Sequence, residues 1–225
     1  MTILVIAAHP DDEVLGCGGT LARLSPEHEC YILILGEGAA SRDMNPDKLK
    51  KYKKDLKNQG TMANKSLGAK KTFFEDLPDN RFDEIPLLDI VKIIEDYLDK
   101  IDPSTIFTHH GGDLNIDHHL TNRALFTAAR PFMDSSIERI MLFEVLSSTE
   151  WCEPTASNYF IPNTYYNISE TIEKKLDAFR FYENEVRDYP HPRSVTGIKL
   201  LAQKRGMEMG LEYAEAFKLG RFIVP

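Results

Sequence analysis

The sequence predicts an open α/β fold, with a Rossmann-like, mostly parallel sheet flanked by helices and a helical elaboration towards the C-terminus. Three observations predict it. Strand-length apolar runs alternate with longer segments of helical periodicity through roughly the first two thirds of the chain. The first run, Ile3 to Ala8, is apolar without interruption, as in a strand covered on both faces. The 225 residues contain no repeat, low-complexity stretch or linker, so residues 1–225 form one domain.

Taken in order, a strand over 2–8 leads into a helix that begins between residues 14 and 19 and ends near 24. A second strand covers 30–35. Residues 48–67 make a long, lysine-rich helix stopped by Gly68 at a C-cap position. A short strand at 71–74 precedes an amphipathic helix over 85–101, whose apolar stripe includes Ile90, Ile94 and Ile101 and which Asp102-Pro103 closes. Residues 105–109 are the fourth strand, 118–129 a helix and 137–145 the fifth strand. Beyond them, 150–163 reads as loop, 169–185 as helix, 188–194 as a proline-broken loop and 194–211 as a final helix, with right-handed crossovers throughout the core. Gly206 and Gly210, four apart, suit close packing of that last helix.

Composition narrows the function. A net charge of −8 argues against a general nucleic-acid binder, because neutralising phosphates needs a basic face. The apolar runs are too short to span a bilayer and the N-terminus lacks the pattern of a secretory signal, so no membrane insertion and a cytoplasmic location are expected. Cys17, Cys30 and Cys152 are three and widely spaced, which fits reduced thiols and rules out a cysteine-built metal site.

Two polar clusters carry the chemistry. His9-Pro10-Asp11-Asp12-Glu13 follows the first strand, and His109-His110-Gly111-Gly112-Asp113-Leu114-Asn115-Ile116-Asp117-His118-His119 follows the fourth. In an open parallel sheet, ligands gather beyond the carboxyl ends of the strands. Either string alone is most often an ordinary polar turn. Falling together at that edge, they point to a metal site on nitrogen and oxygen, and a His, Asp, His set leaves a fourth position open as catalytic zinc sites do. Gly16, Gly18 and Gly19 invite a dinucleotide-binding reading, but three acidic residues stand where the pyrophosphate would lie. Close helix-to-sheet packing explains them better.

Both motifs resemble those of the LmbE/PIG-L family of zinc-dependent N-deacetylases, and the resemblance covers most of the chain. Ala8 to Glu13 matches the first family motif closely. The second, normally His-Pro-Asp-His, reads Asn115-Ile116-Asp117-His118, matching in its last two residues. The resemblance implies one zinc ion per chain on His9, Asp12 and His118, with Asp11 as general base. Zinc brings bound water from a pKa of about 15.7 to about 7, and Asp11 accepts its remaining proton before passing it to the leaving amine. Asn115, also in a catalytic position, can donate a hydrogen bond but cannot titrate. Asp11 is therefore expected to act as both base and acid, the alternative being recruitment of His110, His119 or His191. Asp117 is expected to orient a neighbouring group.

Arg42, Asp79, Arg81, His191 and Arg193 are candidate substrate contacts, Arg193 through bidentate binding of a phosphate or carboxylate. The implied partner is a small N-acylated amino sugar or its conjugate, and the resemblance is compatible with a homo-oligomer. Two other classes compete: a metal-dependent deformylase or phosphoesterase, and a non-catalytic sugar- or nucleotide-binding module. A base beside a complete ligand set argues against the binder.

Overall fold

The computed structural model describes residues 1–39, 45–132 and 135–224. In chain order, β1 (Thr2–Ala7), α1 (Asp12–Leu24), β2 (Glu29–Gly36), α2 (Pro46–Ser66) and β3 (Lys71–Leu77) build one half. Next come α3 (Leu87–Ile101), β4 (Thr105–His109), α4 (Ile116–Ala128) and β5 (Arg139–Phe143), and finally β6 (Thr164–Asn167), α5 (Ile172–Arg180), α6 (Val195–Met207) and β7 (Ala214–Phe222). The strands form one seven-stranded sheet in the order β3-β2-β1-β4-β5-β7-β6. The first five are parallel to one another, and β7 runs antiparallel to both β5 and β6.

β1 lies between β2 and β4, its Ile3 paired with Cys30 on one side and Thr105 on the other. Its side chains therefore alternate between two cores. Ile3, Val5 and Ala7 pack with Val14, Leu56, Leu176 and Ile198 under α1, α2, α5 and α6. Leu4, Ile6 and Ala8 pack with Ile90, Ile94 and Leu125 under α3 and α4. This two-sided burial accounts for the unbroken apolar run. The chain winds outward from β1 in one direction to β3 and then crosses back to β4. The strand order thus reverses between β1 and β4, and a crevice opens beyond their carboxyl ends.

Local chemistry sets the helix ends. The Asn45 side chain accepts from Lys48 N at 2.9 Å with Pro46 in the first turn, and Gly68 takes φ 88° after α2. Gly16 faces the Phe143 ring so closely that a Cβ would lie 2.3 Å from it, and one on Gly19 would lie 2.8 Å from Ile168. These small residues serve packing.

The C-terminal region departs from expectation. The last helix stops at Met207 rather than near residue 211, Gly210 takes φ 70°, and residues beyond it, for which no element was predicted, form strand β7. Gly206 serves the chain reversal, since a Cβ there would meet the carbonyl oxygens of Leu211 and Glu212. The period-two pattern of β7 is disguised because Glu215 is as buried as its apolar neighbours. Its carboxylate accepts from the backbone N–H groups of Gly19 (2.9 Å) and Thr20 (2.7 Å) and pairs with Lys175 at 2.6 Å. Lys175 also donates to the Leu15 carbonyl. A buried charge without its counter-ion is costly, so this pair fastens β7 and α5 to α1. Lys175→Met is expected to cost about 3–5 kcal/mol of stability, read as a fall in the urea unfolding midpoint; an unchanged midpoint would count against the ascribed role.

Candidate metal and catalytic site

The two polar clusters meet in the crevice between β1 and β4. Asp12 opens α1, and its Oδ2 accepts the backbone N–H of His9 at 2.8 Å. The same oxygen lies 3.4 Å from His9 Nδ1 and 3.2 Å from His118 Nε2. His9, Asp12 and His118 are all buried, and one nitrogen or oxygen from each falls within 4.8 Å of the others. Asp12 Oδ1 is buried with no hydrogen-bond partner.

Each histidine is held from behind. The far nitrogen of His9, Nε2, is 2.8 Å from Asp117 Oδ2, and Asp117 also accepts the backbone N–H groups of Asn80 (2.6 Å) and Phe82 (3.0 Å). The far nitrogen of His118, Nδ1, lies 3.1 Å from Asp113 Oδ1. Asp113 in turn accepts from the hydroxyls of Ser148 and Thr149. Beneath His118 the His109 ring stacks at a centroid distance of 3.9 Å, its Nε2 accepting the Ala8 N–H.

The electrostatics are those of a cation site. Burial opposes the charged form of His9, yet Asp117, Asp12 and Asp79 outweigh it and hold the ring at about 10. Burial likewise opposes charge on His118, and Asp12 and Asp113 raise it to about 9. Burial works against the Asp12 carboxylate too, but His118 and His9 keep it well below the usual range. The cluster thus gathers positive charge as bound protons where a divalent cation could take their place. The donor set, two imidazoles and a carboxylate with an unpartnered oxygen, fits zinc. His9 is also grouped with Asp79 and Asp117, but both oxygens of Asp117 already accept N–H donors, which makes Asp117 the orienting carboxylate.

A cavity of about 310 Å³ opens beside the cluster, lined by His9, Asp11, Asp12, Asp79, Asn80, Asn115, Glu185, Arg187 and Arg193 among others. Asp11 sits at its wall with φ 105°, a left-handed conformation costly for a side chain-bearing residue. Its backbone N–H bonds Glu13 Oε2 at 3.1 Å, and its Oδ2 accepts from Arg193 Nη1 at 2.9 Å. Burial lifts the Asp11 carboxyl well above the usual carboxylate range, Arg193 opposes that, and the charge of Asp12 adds to it.

A family model described as PIG-L, GlcNAc-PI de-N-acetylase, matches residues 4–129, more than half of the chain. The chain belongs to the PIG-L (LmbE-like) deacetylase family. The Escherichia coli (strain K12) protein described as uncharacterized deacetylase YaiS is 29% identical over 190 residues, covering 81% of this chain and 90% of that one. The fold is similar to that of N,N'-diacetylchitobiose deacetylase from Pyrococcus horikoshii, with a TM-score of 0.80 and 20% identity over 98% of this chain and 84% of the other. It is also similar to GalB, the 4-carboxy-2-hydroxymuconate hydratase of Pseudomonas putida KT2440, with a TM-score of 0.73 and 20% identity over 100% and 98%. Among the described residues no helix is long and apolar enough to cross a membrane.

The other residues singled out in the sequence divide. Asn115 caps α4, its Oδ1 accepting from Asp117 N (2.8 Å) and its Nδ2 donating to Asn80 Oδ1 (3.0 Å). Asp79 lines the cavity, whereas Arg81 is exposed 3.6 Å from Glu84 and does not reach it. Arg193 lines the cavity but is bonded to Asp11. His191 accepts the Arg193 N–H at 3.1 Å and lies edge-on to Trp151, outside the cavity lining. Arg42 lies outside the described residues.

Sequence reasoning missed the supporting groups. Asp113 stood within the second cluster but carried no motif signal, and nothing singled out Ser148 and Thr149, which fall between the fifth strand and the loop at 150–163. Glu13 buttresses the turn with a partner 169 positions away, the hydroxyl of buried Tyr182. Burial, opposed by that hydroxyl, pushes Glu13 up to about 7. Tyr182→Phe leaves a buried carboxyl oxygen without its donor, an expected loss of about 1–3 kcal/mol in equilibrium unfolding; stability equal to the parent would discount the buttress.

Proposed function

We propose that this PIG-L family member is a zinc-dependent N-deacetylase that removes an acyl group, acetyl by preference, from an amino sugar or amino-sugar conjugate. The observation that carries the reading is the His9, Asp12, His118 triangle, with its unpartnered carboxylate oxygen, placed beside Asp11 at the wall of a polar cavity. Family membership and the deacetylase YaiS support the reaction type.

One zinc ion on His9, Asp12 and His118 would acidify the attacking water and polarise the acyl carbonyl. Asp117, hydrogen-bonded to His9 Nε2, and Asp113, in ion-pair contact with His118 Nδ1 at 3.1 Å, stand behind the two histidines and favour the ring orientations in which the inner nitrogens face Asp12. Asp11 takes the proton from the attacking water and returns it to the departing amine. Asn115 does not compete for that task, because an amide does not titrate and both its polar atoms are engaged. Asp79, Asn80 and Asn115 instead offer the cavity a wall of carboxylate and amide groups suited to sugar hydroxyls.

The test is incubation of zinc-loaded protein with a panel of N-acyl amino sugars, with the free amine detected by mass spectrometry. Chelation should abolish turnover and added zinc restore it, and Asp11→Asn should lower the rate by about 10²–10⁴-fold. Full activity in metal-free protein overturns the proposal, and release of formate or phosphate without acetate reassigns the bond that is cleaved. Asp113→Asn is expected to weaken zinc affinity by about 10–100-fold in a chelator competition, since it removes the charge behind His118.

A further inference from the structure

We infer that a single turn of three hydroxyl residues, Ser147, Ser148 and Thr149, acting with Arg193, sets the position of the base relative to the metal ligands. The inference rests on the functional reading above and adds the device that keeps its two halves in register.

The turn follows β5 at the same rim of the sheet as the two polar clusters. Ser147 Oγ accepts from Arg193 Nε at 2.7 Å, and the Leu146 carbonyl accepts from the same nitrogen at 3.3 Å. The other arm of that guanidinium donates from Nη1 to Asp11 Oδ2 at 2.9 Å. Arg193 therefore spans from the turn to the base, and the planar fork lets one side chain serve both ends. The next two residues serve the metal side. Ser148 and Thr149 donate to the two oxygens of Asp113, which stands 3.1 Å from His118 Nδ1. Base and metal ligand thus hang from consecutive residues.

The turn is itself over-determined. Glu150 accepts the N–H groups of Ser147 (2.6 Å) and Ser148 (3.3 Å), and Thr149 Oγ1 accepts that of Val145 (2.8 Å). Ser147 takes φ 64° and Asp11 φ 105°, so the Arg193 fork hydrogen-bonds two non-glycine side chains at positive φ, with Glu185 Oε2 a further 3.7 Å ion-pair contact. Such conformations persist only where the surroundings hold them. Arg193 was expected to meet an anionic substrate group; with Nε and Nη1 engaged within the protein, it is a positioning residue.

The experiment uses the full chain with zinc and whichever N-acyl sugar the wild-type protein turns over. Arg193→Ala should lower kcat by about 100-fold, the effect of misplacing a reacting group by an ångström, while KM stays within about threefold and zinc affinity is kept. Added guanidinium ion should restore part of the lost kcat, which it would not do if the variant were merely misfolded. The double variant Ser148→Ala/Thr149→Val should weaken zinc binding by about 10–100-fold in chelator competition, and Thr149→Ser, which keeps the hydroxyl, should bind as the wild type does. A raised KM with kcat retained in Arg193→Ala makes it a substrate contact and overturns the base half; unchanged zinc affinity in the double variant overturns the metal half. Absence of any turnover by the wild type sinks the functional reading instead, and the zinc measurements still decide whether the turn supports the ligands.

Discussion

The site depends on one buried carboxylate, that of Asp12. It lies at the start of α1 with about 1% of its surface exposed, where an uncompensated charge would be untenable. Every neighbour answers that constraint. The His9 N–H closes a short loop onto it, His9 and His118 turn one nitrogen each towards it, and the two rings are held as cations by carboxylates behind them. Acid and imidazole thus alternate from Asp117 through His9, Asp12 and His118 to Asp113. A chain of alternating charge with one vacant oxygen at its centre makes little sense as a stabilising device, because buried ion pairs rarely gain more than hydrophobic packing of the same volume. It is intelligible as a receptacle for a divalent cation.

Holding Asp12 there has a consequence for the preceding residue. The chain must turn from β1 into α1 within Pro10 and Asp11, and Asp11 absorbs the turn in a left-handed conformation that no glycine relieves. A glycine would relieve the strain but could not carry the carboxyl. The strained backbone is fixed from two sides, by Glu13 with Tyr182 beneath it and by Arg193 across it. Strain at a functional position, maintained by groups brought from the far end of the chain, is why Tyr182 and Arg193 matter to a motif that spans residues 9–13.

This also explains what could be read in advance. The parallel core was legible because β1, β2 and β4 are buried on both faces, so their side chains need not alternate and the apolar runs stand out. The candidate cluster of His9, Asp12 and His118 was legible as two short polar strings, each directly after a strand, although His118 lies far along the chain from the other two. The C-terminal strands were not, since Glu215 and its partner Lys175 occupy inward positions where the hydrophobic pattern expects apolar residues, and only the folded structure brings them to within 2.6 Å of each other. The same holds for Asp113, Ser148 and Thr149. Hydroxyls that orient a carboxylate that orients a histidine leave no periodicity and no spacing rule. Arg193 was expected to meet an anionic substrate group, and in the structure its Nη1 donates to the carboxylate of Asp11.

The exchange of histidine for Asn115 then acquires a structural reason. Asparagine is among the best N-caps, and here it satisfies the first turn of α4, the helix that delivers Asp117 and His118. Its amide nitrogen continues through Asn80 to Asp79, so this side of the cavity is fixed as a hydrogen-bonded wall of two amides and a carboxylate. Under the proposed reading the proton must then shuttle through one carboxyl. A carboxylate of ordinary affinity would hold little to give back to an amine. Burial raises Asp11, Arg193 restrains the rise, and the charges of Asp12, Glu185 and Glu13 add to it, while a cation bound next to it would draw it back down. The similar fold of GalB, a hydratase, shows that this scaffold does not dictate hydrolysis of an amide. What distinguishes the chemistry must lie in groups such as these, and on the proposed reading the opposing pulls on Asp11 set the balance between taking and returning a proton.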